Sequence, residues 1–199
     1  GRIAVTNMYA GANSGAGLIS GTLSVLANSF TQTSTGVMDV SALGTTAGSI
    51  SLSISDAMAI SGAVLATSDD PIQSTHVIAQ AAMGGSIDLQ ATRRVDFDGA
   101  VLDASGADGA GRIHVSAAGL PADPNNSQTP MHGVVAMVNS TLMRVSSARA
   151  QGGRVEVEGD DISLDNTRIE ALGAGGGGTV LIGGDWQGSG SLRHATTVS

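Results

Sequence analysis

The stretch Gly85-Ser86-Ile87-Asp88-Leu89 decides the fold of this chain, because the same phrase recurs along the sequence. The phrase is a glycine, any residue, a branched aliphatic residue, a residue that is mostly small or polar, and a second aliphatic residue. Strict alternation over five residues predicts a β-strand with one buried face. Six copies begin at Gly21, Gly48, Gly85, Gly111, Gly153 and Gly178. We therefore expect six strands that begin in the same way.

The agreement extends beyond the first strand of each unit. At matching offsets, two further pairs of apolar or small residues follow the leading glycine, and these pairs predict a second and a third short strand. After Gly48 they are Met58 and Ile60, then Ala63 and Leu65; after Gly85 they are Val95 and Phe97, then Ala100 and Leu102; after Gly153 they are Ile162 and Leu164, then Thr167 and Ile169. Each unit thus predicts three strands joined by turns rich in Gly, Asn, Asp and Ser.

The distances between the leading glycines locate two insertions. The distances are 27, 37, 26, 42 and 25 residues, so the basic unit is about 26 residues and two units are longer. The additional residues lie near 67–84 and 119–132, and both segments carry prolines, which central strands exclude. All four prolines of the chain fall there: Pro71, Pro121, Pro124 and Pro130. The first 20 residues do not divide into three strands, and the last unit is incomplete at Ser199.

Three strands of this length cannot bury an apolar face alone, but stacked units can. Stacking places the first strand of each unit beside the first strand of the next, in parallel, at about 4.8 Å. The sequence therefore predicts an all-β parallel β-helix, a single solenoid over residues 1–199 with about seven rungs of three short strands and two loop insertions. Because the chain opens mid-strand at Gly1-Arg2-Ile3-Ala4-Val5, we expect a fragment of a longer polypeptide.

Composition supports this prediction and excludes several classes of protein. Hydrophobic residues make up 41% of the chain but aromatic residues only 2%, which suits a narrow aliphatic interior. We attribute much of the content of 29 glycines to turns with positive φ. The net charge is −8 and every basic residue is arginine, so nucleic acid and anionic membranes are poor partners. No apolar run reaches the length of about 18 residues that a membrane helix needs, and the absence of cysteine excludes disulfides.

Several phrases resemble the rung consensus of filamentous haemagglutinin-type adhesins, the large exoproteins of two-partner secretion in bacteria. The similarity covers about residues 21–199. It is carried by Gly84-Gly85-Ser86-Ile87-Asp88-Leu89-Gln90-Ala91, by Val95-Asp96-Phe97-Asp98-Gly99, by Val101-Leu102-Asp103-Ala104-Ser105-Gly106 and by Gly183-Gly184-Asp185-Trp186-Gln187-Gly188-Ser189-Gly190. The resemblance implies a secreted, right-handed β-helix at the bacterial cell surface, exported through an outer-membrane transporter and used as a stalk or adhesive fibre. The family's amino-terminal secretion domain is not recognisable in this chain.

The insertions are the candidate binding loops, because loops on a regular scaffold commonly carry recognition residues. A host-cell, matrix or polysaccharide ligand would meet polar side chains there, and Trp186 could stack on a sugar ring. The polar side chains are Asp69, Asp70, Gln73, His76, Asp123, Asn125, Asn126, Gln128 and His132. We expect no catalytic residue, no cofactor and no bound metal.

Two alternatives to a non-enzymatic adhesive segment remain open. The first is a carbohydrate-active β-helix enzyme, because Asp96 and Asp98 project from one strand about 6.6 Å apart, near the separation used by inverting glycosidases. However, Glu156 and Glu158 repeat the arrangement, as expected of any solvated strand face. The second is a self-assembling filament, since an open β-helix end exposes unpaired strands that can associate end to end.

Overall fold

The computed structural model describes residues 2–9, 21–69, 81–121, 130–185 and 189–199. All regular secondary structure in these ranges is β-strand. The strands are β1 (Arg2–Tyr9), β2 (Thr22–Asp39), β3 (Ala42–Leu43), β4 (Ser49–Ile60), β5 (Ala63–Leu65), β6 (Ser68–Asp69), β7 (Ser86–Ala91), β8 (Arg94–Asp98), β9 (Val101–Asp103), β10 (Arg112–Ala117), β11 (Val134–Val138), β12 (Leu142–Arg144), β13 (Arg154–Glu158), β14 (Asp161–Leu164), β15 (Arg168–Glu170), β16 (Thr179–Ile182) and β17 (Thr197–Val198).

The strands wind into a parallel β-helix with three faces, as predicted. Face one joins the first part of β2 to β4, β7, β10, β13 and β16. Face two joins β1, the middle of β2, the second part of β4, β8, β11, β14 and β17. Face three joins the end of β1 to the end of β2, β5, β9, β12 and β15. Every pair of neighbouring strands is parallel. Face two has seven strands, one from each rung, so the described coil has seven rungs.

The glycine-led phrases form face one in the predicted register. Each strand there begins directly after its glycine, and the first aliphatic residues of the phrases stack in one column. The column contains Leu23, Ile50, Ile87, Ile113, Val155 and Val180. This confirms that residues separated by one unit of sequence lie directly over each other.

The leading glycines are required by close approach between rungs rather than by positive φ. A Cβ built on Gly111 would lie 1.8 Å from the carbonyl oxygen of Gly85, and one built on Gly153 would lie 2.0 Å from that of Gly111. A Cβ built on Gly48, Gly85 or Gly178 would likewise lie 1.9 to 2.0 Å from the carbonyl oxygen of the leading glycine in the previous unit. Among the described glycines, positive φ occurs only at Gly44, Gly99, Gly119, Gly176, Gly183 and Gly184. Our attribution of much of the glycine to turns was therefore wrong for the strand-leading positions.

The third strand of one rung is shifted by one residue from its predicted position. Val64, not Leu65, pairs with Leu102 and is buried, whereas Leu65 is only half-buried. The shift arises because the corner between the second and third strands is one residue longer in the next rung than in this one. That additional residue allows a turn at Gly99, whose φ is +64°. The matching of Thr167 and Ile169 to this column is correct, because Ile169 pairs with Met143 and Met143 with Leu102.

The core is a continuous aliphatic column enclosed by the three faces. Phe30, Phe97 and Met137 are among its largest fully buried side chains, and they lie on face two. Some polar side chains are buried as well, and among them Gln32 is 1% exposed and stacks over Ile60. Its Nε2 donates a hydrogen bond to the Ala63 carbonyl at 3.0 Å, while its Oε1 lacks a partner among the described residues. Burial of aliphatic side chains in this column supplies the main favourable free energy of folding.

Candidate functional site

The first insertion leaves the coil at the corner between faces three and one. The chain departs after β6 and returns at Met83, which forms a parallel bridge with Gly109 of the next rung. Asp108 secures the returning segment, because its carboxylate accepts a hydrogen bond from the Ala82 N–H at 2.8 Å and one from Arg149 Nε at 2.7 Å. The Arg149 bond first, and the Ala82 bond second, lower the pKa of Asp108 below its ordinary value. The root of this insertion is thus anchored by an ionised side chain from the neighbouring rung.

The second insertion leaves at a different corner, between faces one and two. Its two ends meet in an antiparallel bridge, in which the N–H groups of Leu120 and Met131 donate to each other's carbonyl at 2.8 and 2.9 Å. Asp160 accepts the Gly133 N–H at 2.7 Å, and His132 Nδ1 lies 3.0 Å from Asp161 Oδ2. Hydrogen bonds from Thr197 and His132 hold the pKa of Asp161 below its ordinary value. The returning end of this insertion is therefore tied to the following rung, whereas the Gly119 N–H at the leaving end donates to the Thr92 carbonyl of the preceding rung at 2.7 Å.

Two of the predicted binding-loop residues lie in the described part of the chain. Asp69 ends β6 and is exposed, and His132 is exposed at the root of the second insertion. They occupy different corners and rungs, so the structure does not join them in one site. Outside the described residues lie Asp70, Gln73, His76, Asp123, Asn125, Asn126, Gln128 and Trp186. For these the sequence-based interpretation stays a prediction.

The carboxylates that suggested glycosidase chemistry both have partners. On β8, Arg94 Nε donates to both Asp96 oxygens, at 2.7 and 2.8 Å. Asp98 accepts a hydrogen bond from Asn139 Nδ2 of the next rung at 2.7 Å. The Asp96 bond raises the pKa of Arg94, whose guanidinium cannot exchange a proton near neutral pH. Each carboxylate thus accepts hydrogen bonds from a neighbouring side chain on the outside of face two.

A charged cluster on face one was missed from the sequence. His114 of β10 lies between two carboxylates from the rungs on either side: its Nδ1 is 2.9 Å from Asp88 Oδ1, and its Nε2 is 3.0 Å from Glu158 Oε1. Beside it, Glu156 is bonded by Arg154 and paired with Arg112. The signal was available, because Asp88, His114 and Glu156 each stand three residues after a leading glycine. We refer to these six residues as the face-one cluster.

Glu156 corrects our expectation of a solvated strand face, because it is only 3% exposed. Burial opposes its ionisation and is the largest single influence on its pKa. The hydrogen bonds from Arg154 and Arg112 together outweigh that effect and lower the pKa below the ordinary value. A carboxylate kept ionised by two guanidinium partners carries no proton for general acid catalysis, and removal of either partner would leave a buried charge uncompensated.

Arginine–carboxylate pairs occur on all three faces of the described coil, from Asp56 onward. Arg144 of face three, for example, donates to Glu170 at 2.8 Å and contacts Asp103 at 3.3 Å, and so links three rungs. Paired arginines are Arg93, Arg94, Arg112, Arg144, Arg149, Arg154, Arg168 and Arg193. Within the ranges that the structure describes, no group of three or more His, Asp or Glu side chains is arranged to hold a metal ion.

The described residues contain no helix that is long and apolar enough to cross a membrane. Comparison of the chain with protein-family models, with curated proteins and with solved structures finds no match in any of the three.

Proposed function

We propose that this chain is a non-enzymatic structural and adhesive segment of a large secreted bacterial surface protein of the filamentous haemagglutinin type. In this proposal the coil is a stalk, and the two insertions present binding residues to a host-cell, matrix or polysaccharide ligand. The observation that carries it is the anchoring of both insertion roots on a regular scaffold, through the bridges Met83–Gly109 and Leu120–Met131. Anchored roots limit the ordering entropy that a loop loses on binding.

The scaffold has the properties that a stalk requires. Its aliphatic core is continuous from Val25 to Ile162, and polar ladders along the outside join successive rungs. Ser41 and Thr67 form one such rung-to-rung contact at 3.0 Å, and Asn28 and Ser55 form another. Export through a partner transporter in the outer membrane belongs to the same proposal and is supported by the resemblance of the rung phrases.

The register provides templates for removing each insertion without disturbing the coil. In the next rung, which has no insertion at this corner, two residues (Ala107 and Asp108) join Gly106 to Gly109. Gly106 pairs with Ser68 and Gly109 with Met83, so deletion of residues 70–81 leaves the matching two-residue connection Asp69–Ala82. Likewise, two residues join Ala91 to Arg94, so deletion of residues 119–132 leaves Ala118–Gly133 before β11. Both deletions reproduce connections that the molecule already contains.

Adhesion tests of these deletions examine the proposed function directly. Beads coated with the intact chain are applied to epithelial cell monolayers, to fibronectin and collagen surfaces and to a panel of polysaccharides. We expect retention on at least one surface, and at least a tenfold loss of retention in one deletion variant whose circular dichroism spectrum is unchanged. The proposal that the insertions present binding residues would be refuted if the beads were retained on no surface. It would also be refuted if a variant that lacks both insertions were retained as fully as the intact chain.

The carbohydrate-active alternative predicts a different result with the same polysaccharides. If the chain is such an enzyme, the intact chain releases reducing ends or unsaturated products from a polysaccharide, and the Asp96→Asn variant does not. For the adhesive segment we expect no product. Turnover that depends on Asp96 would replace the adhesive interpretation.

A further inference from the structure

The two insertion roots border the same face of the coil. Face one lies between the corner that carries the first root and the corner that carries the second. Strand β10 shows this arrangement directly, because the Met83–Gly109 bridge of the first root lies just before it and the Leu120–Met131 bridge of the second lies just after it. The outer surface of face one around β10 is therefore flanked by both roots.

The surface between the roots is polar throughout. On β7, β10 and β13 the side chains at alternate positions point outward, in register from strand to strand. They are the six residues of the face-one cluster together with Ser86, Gln90 and Ser116. The same face in the two rungs before β7 carries mostly serine and threonine, such as Ser49 and Ser51 of β4. The charged side chains of face one are thus gathered beside the roots.

The side chains of this surface hold one another in place and still reach solvent. Gln90 Nε2 donates to both Asp88 oxygens at 3.1 Å, and His114 lies between Asp88 and Glu158. The side chain of Asp88 is nevertheless 40% exposed. Polar groups that are fixed before binding lose little conformational entropy when a ligand arrives.

Two arginines of the cluster retain hydrogen-bond donors for a ligand. Both guanidinium groups contact the buried carboxylate of Glu156, through Arg112 Nη2 and Arg154 Nε. Together they carry more N–H donors than one carboxylate has acceptor sites. The side chain of Arg112 is 52% exposed and that of Arg154 is 45% exposed, so donors remain available on the solvent side.

The chemistry of this surface favours an uncharged polyhydroxyl chain as its ligand. Stable protein interfaces contain an apolar centre, and the outward positions of β7, β10 and β13 carry no apolar side chain. A polyanion is disfavoured, since the cluster holds three carboxylates against two guanidinium groups and the whole chain has a net charge of −8. Sugar hydroxyls both donate and accept hydrogen bonds, so they match a surface that mixes carboxylate, carboxamide, hydroxyl and guanidinium groups.

We propose that the outer surface of β7, β10 and β13 binds a neutral polysaccharide, with Asp88, Gln90 and Arg112 as hydrogen-bonding contacts. The polysaccharide crosses the three strands along the coil axis, with one insertion root on each side. This inference rests on the proposed function, because it names the surface that receives one of the ligand classes considered there.

Affinity electrophoresis measures this binding, with the intact chain in native gels that contain dextran, mannan or galactomannan and in a gel without polysaccharide. We expect at least one of these neutral polysaccharides to retard the intact chain. Arg112→Gln should raise the dissociation constant by about tenfold, the effect of losing one hydrogen bond to a charged group. Arg144→Gln is the matched control, because Arg144 lies in the same rung on face three, is 40% exposed and is also paired with carboxylates. It should bind as the intact chain does.

Gln90→Ala tests the surface without removing an ion pair, so it remains informative if Arg112→Gln does not fold. This variant should also be retarded less than the intact chain. Equal retardation of Gln90→Ala, Arg112→Gln and the intact chain would overturn the inference, even if deletion of an insertion abolished binding and so supported the proposed function. Retardation by none of the neutral polysaccharides, or by heparin alone, would overturn it as well, and retention on cell and matrix surfaces would then decide the proposed function separately.

Discussion

Leu52 and Ser53 are neighbours on β4, yet their side chains lie on opposite sides of the coil wall. Leu52 is 1% exposed in the aliphatic column, and Ser53 faces solvent. A carboxylate at position 52 would be desolvated without a partner, which costs several kcal/mol. An exposed substitution normally changes stability by about 0.5 kcal/mol or less.

We therefore predict that Leu52→Asp prevents folding or lowers the unfolding midpoint by more than 10 °C, whereas Ser53→Asp leaves it nearly unchanged. Circular dichroism melts of the two variants measure this difference. Similar melting of both would mean that the inside and outside of β4 had been assigned incorrectly.

At the scale of the strand, the leading glycine permits the close approach of backbone atoms between rungs. Its missing side chain lets the carbonyl of the preceding glycine approach, and the atom that a Cβ would meet is backbone, which cannot move aside within a paired strand. Gly177 offers a contrast, because a Cβ there would meet only the Ala171 carbonyl oxygen at 3.8 Å.

Gly111→Ala is accordingly predicted to lower the unfolding midpoint by several degrees, and Gly177→Ala to change it by no more than about 2 °C. Urea unfolding of the two variants gives the same comparison as a change in midpoint concentration. If the two alanine variants were equally stable, close approach would not be the reason for the repeated glycine.

For the whole molecule, the arrangement of carboxylates predicts a loss of stability in acid. Hydrogen bonds, mostly from arginine, lower the pKa of five carboxyl groups: Asp56, Asp108, Glu156, Asp161 and Glu170. A group whose pKa is lower in the folded than in the unfolded state stabilises the fold above its ordinary pKa. That stability is lost as pH falls through the folded value, while relief of the net charge of −8 acts in the opposite direction.

Glu156→Gln separates these two effects, because Glu156 is the most buried of the five groups. We predict that the intact chain loses thermal stability between pH 5 and pH 3, and that the loss is smaller in Glu156→Gln. Thermal melts at half-unit intervals of pH provide the measurement. An equal loss in both proteins would show that Glu156 does not contribute to the acid response.

Much of the fold was predictable because its signals are local. The alternation after each glycine, the unit of about 26 residues and the confinement of proline to two segments predicted the first strands, the number of rungs and the presence of two insertions. The shift at Val64 was not predictable, since one residue more or less at a corner moves a whole strand by one position and reverses its faces.

The candidate sites were less accessible from sequence, because they depend on contacts between rungs. The partners of His114 are 26 residues before it and 44 residues after it, across a rung that carries an insertion. Whether a carboxylate such as Glu156 is solvated or buried depends on contacts that include Arg112 of the adjacent strand as well as Arg154 of its own strand. The inward position of Gln32 likewise follows from the register of β2 against β4.

The sequence by itself thus determined that this protein is a parallel coil with an aliphatic interior and two insertions, since alternation and unit length are properties of short segments. Only the tertiary structure decided which polar side chains meet across the rungs, why glycine must lead each strand, and where the insertions are anchored. The physical reason is that a hydrogen bond or a close contact depends on ångström-scale distances between residues of different rungs, and these distances exist only after the coil has closed.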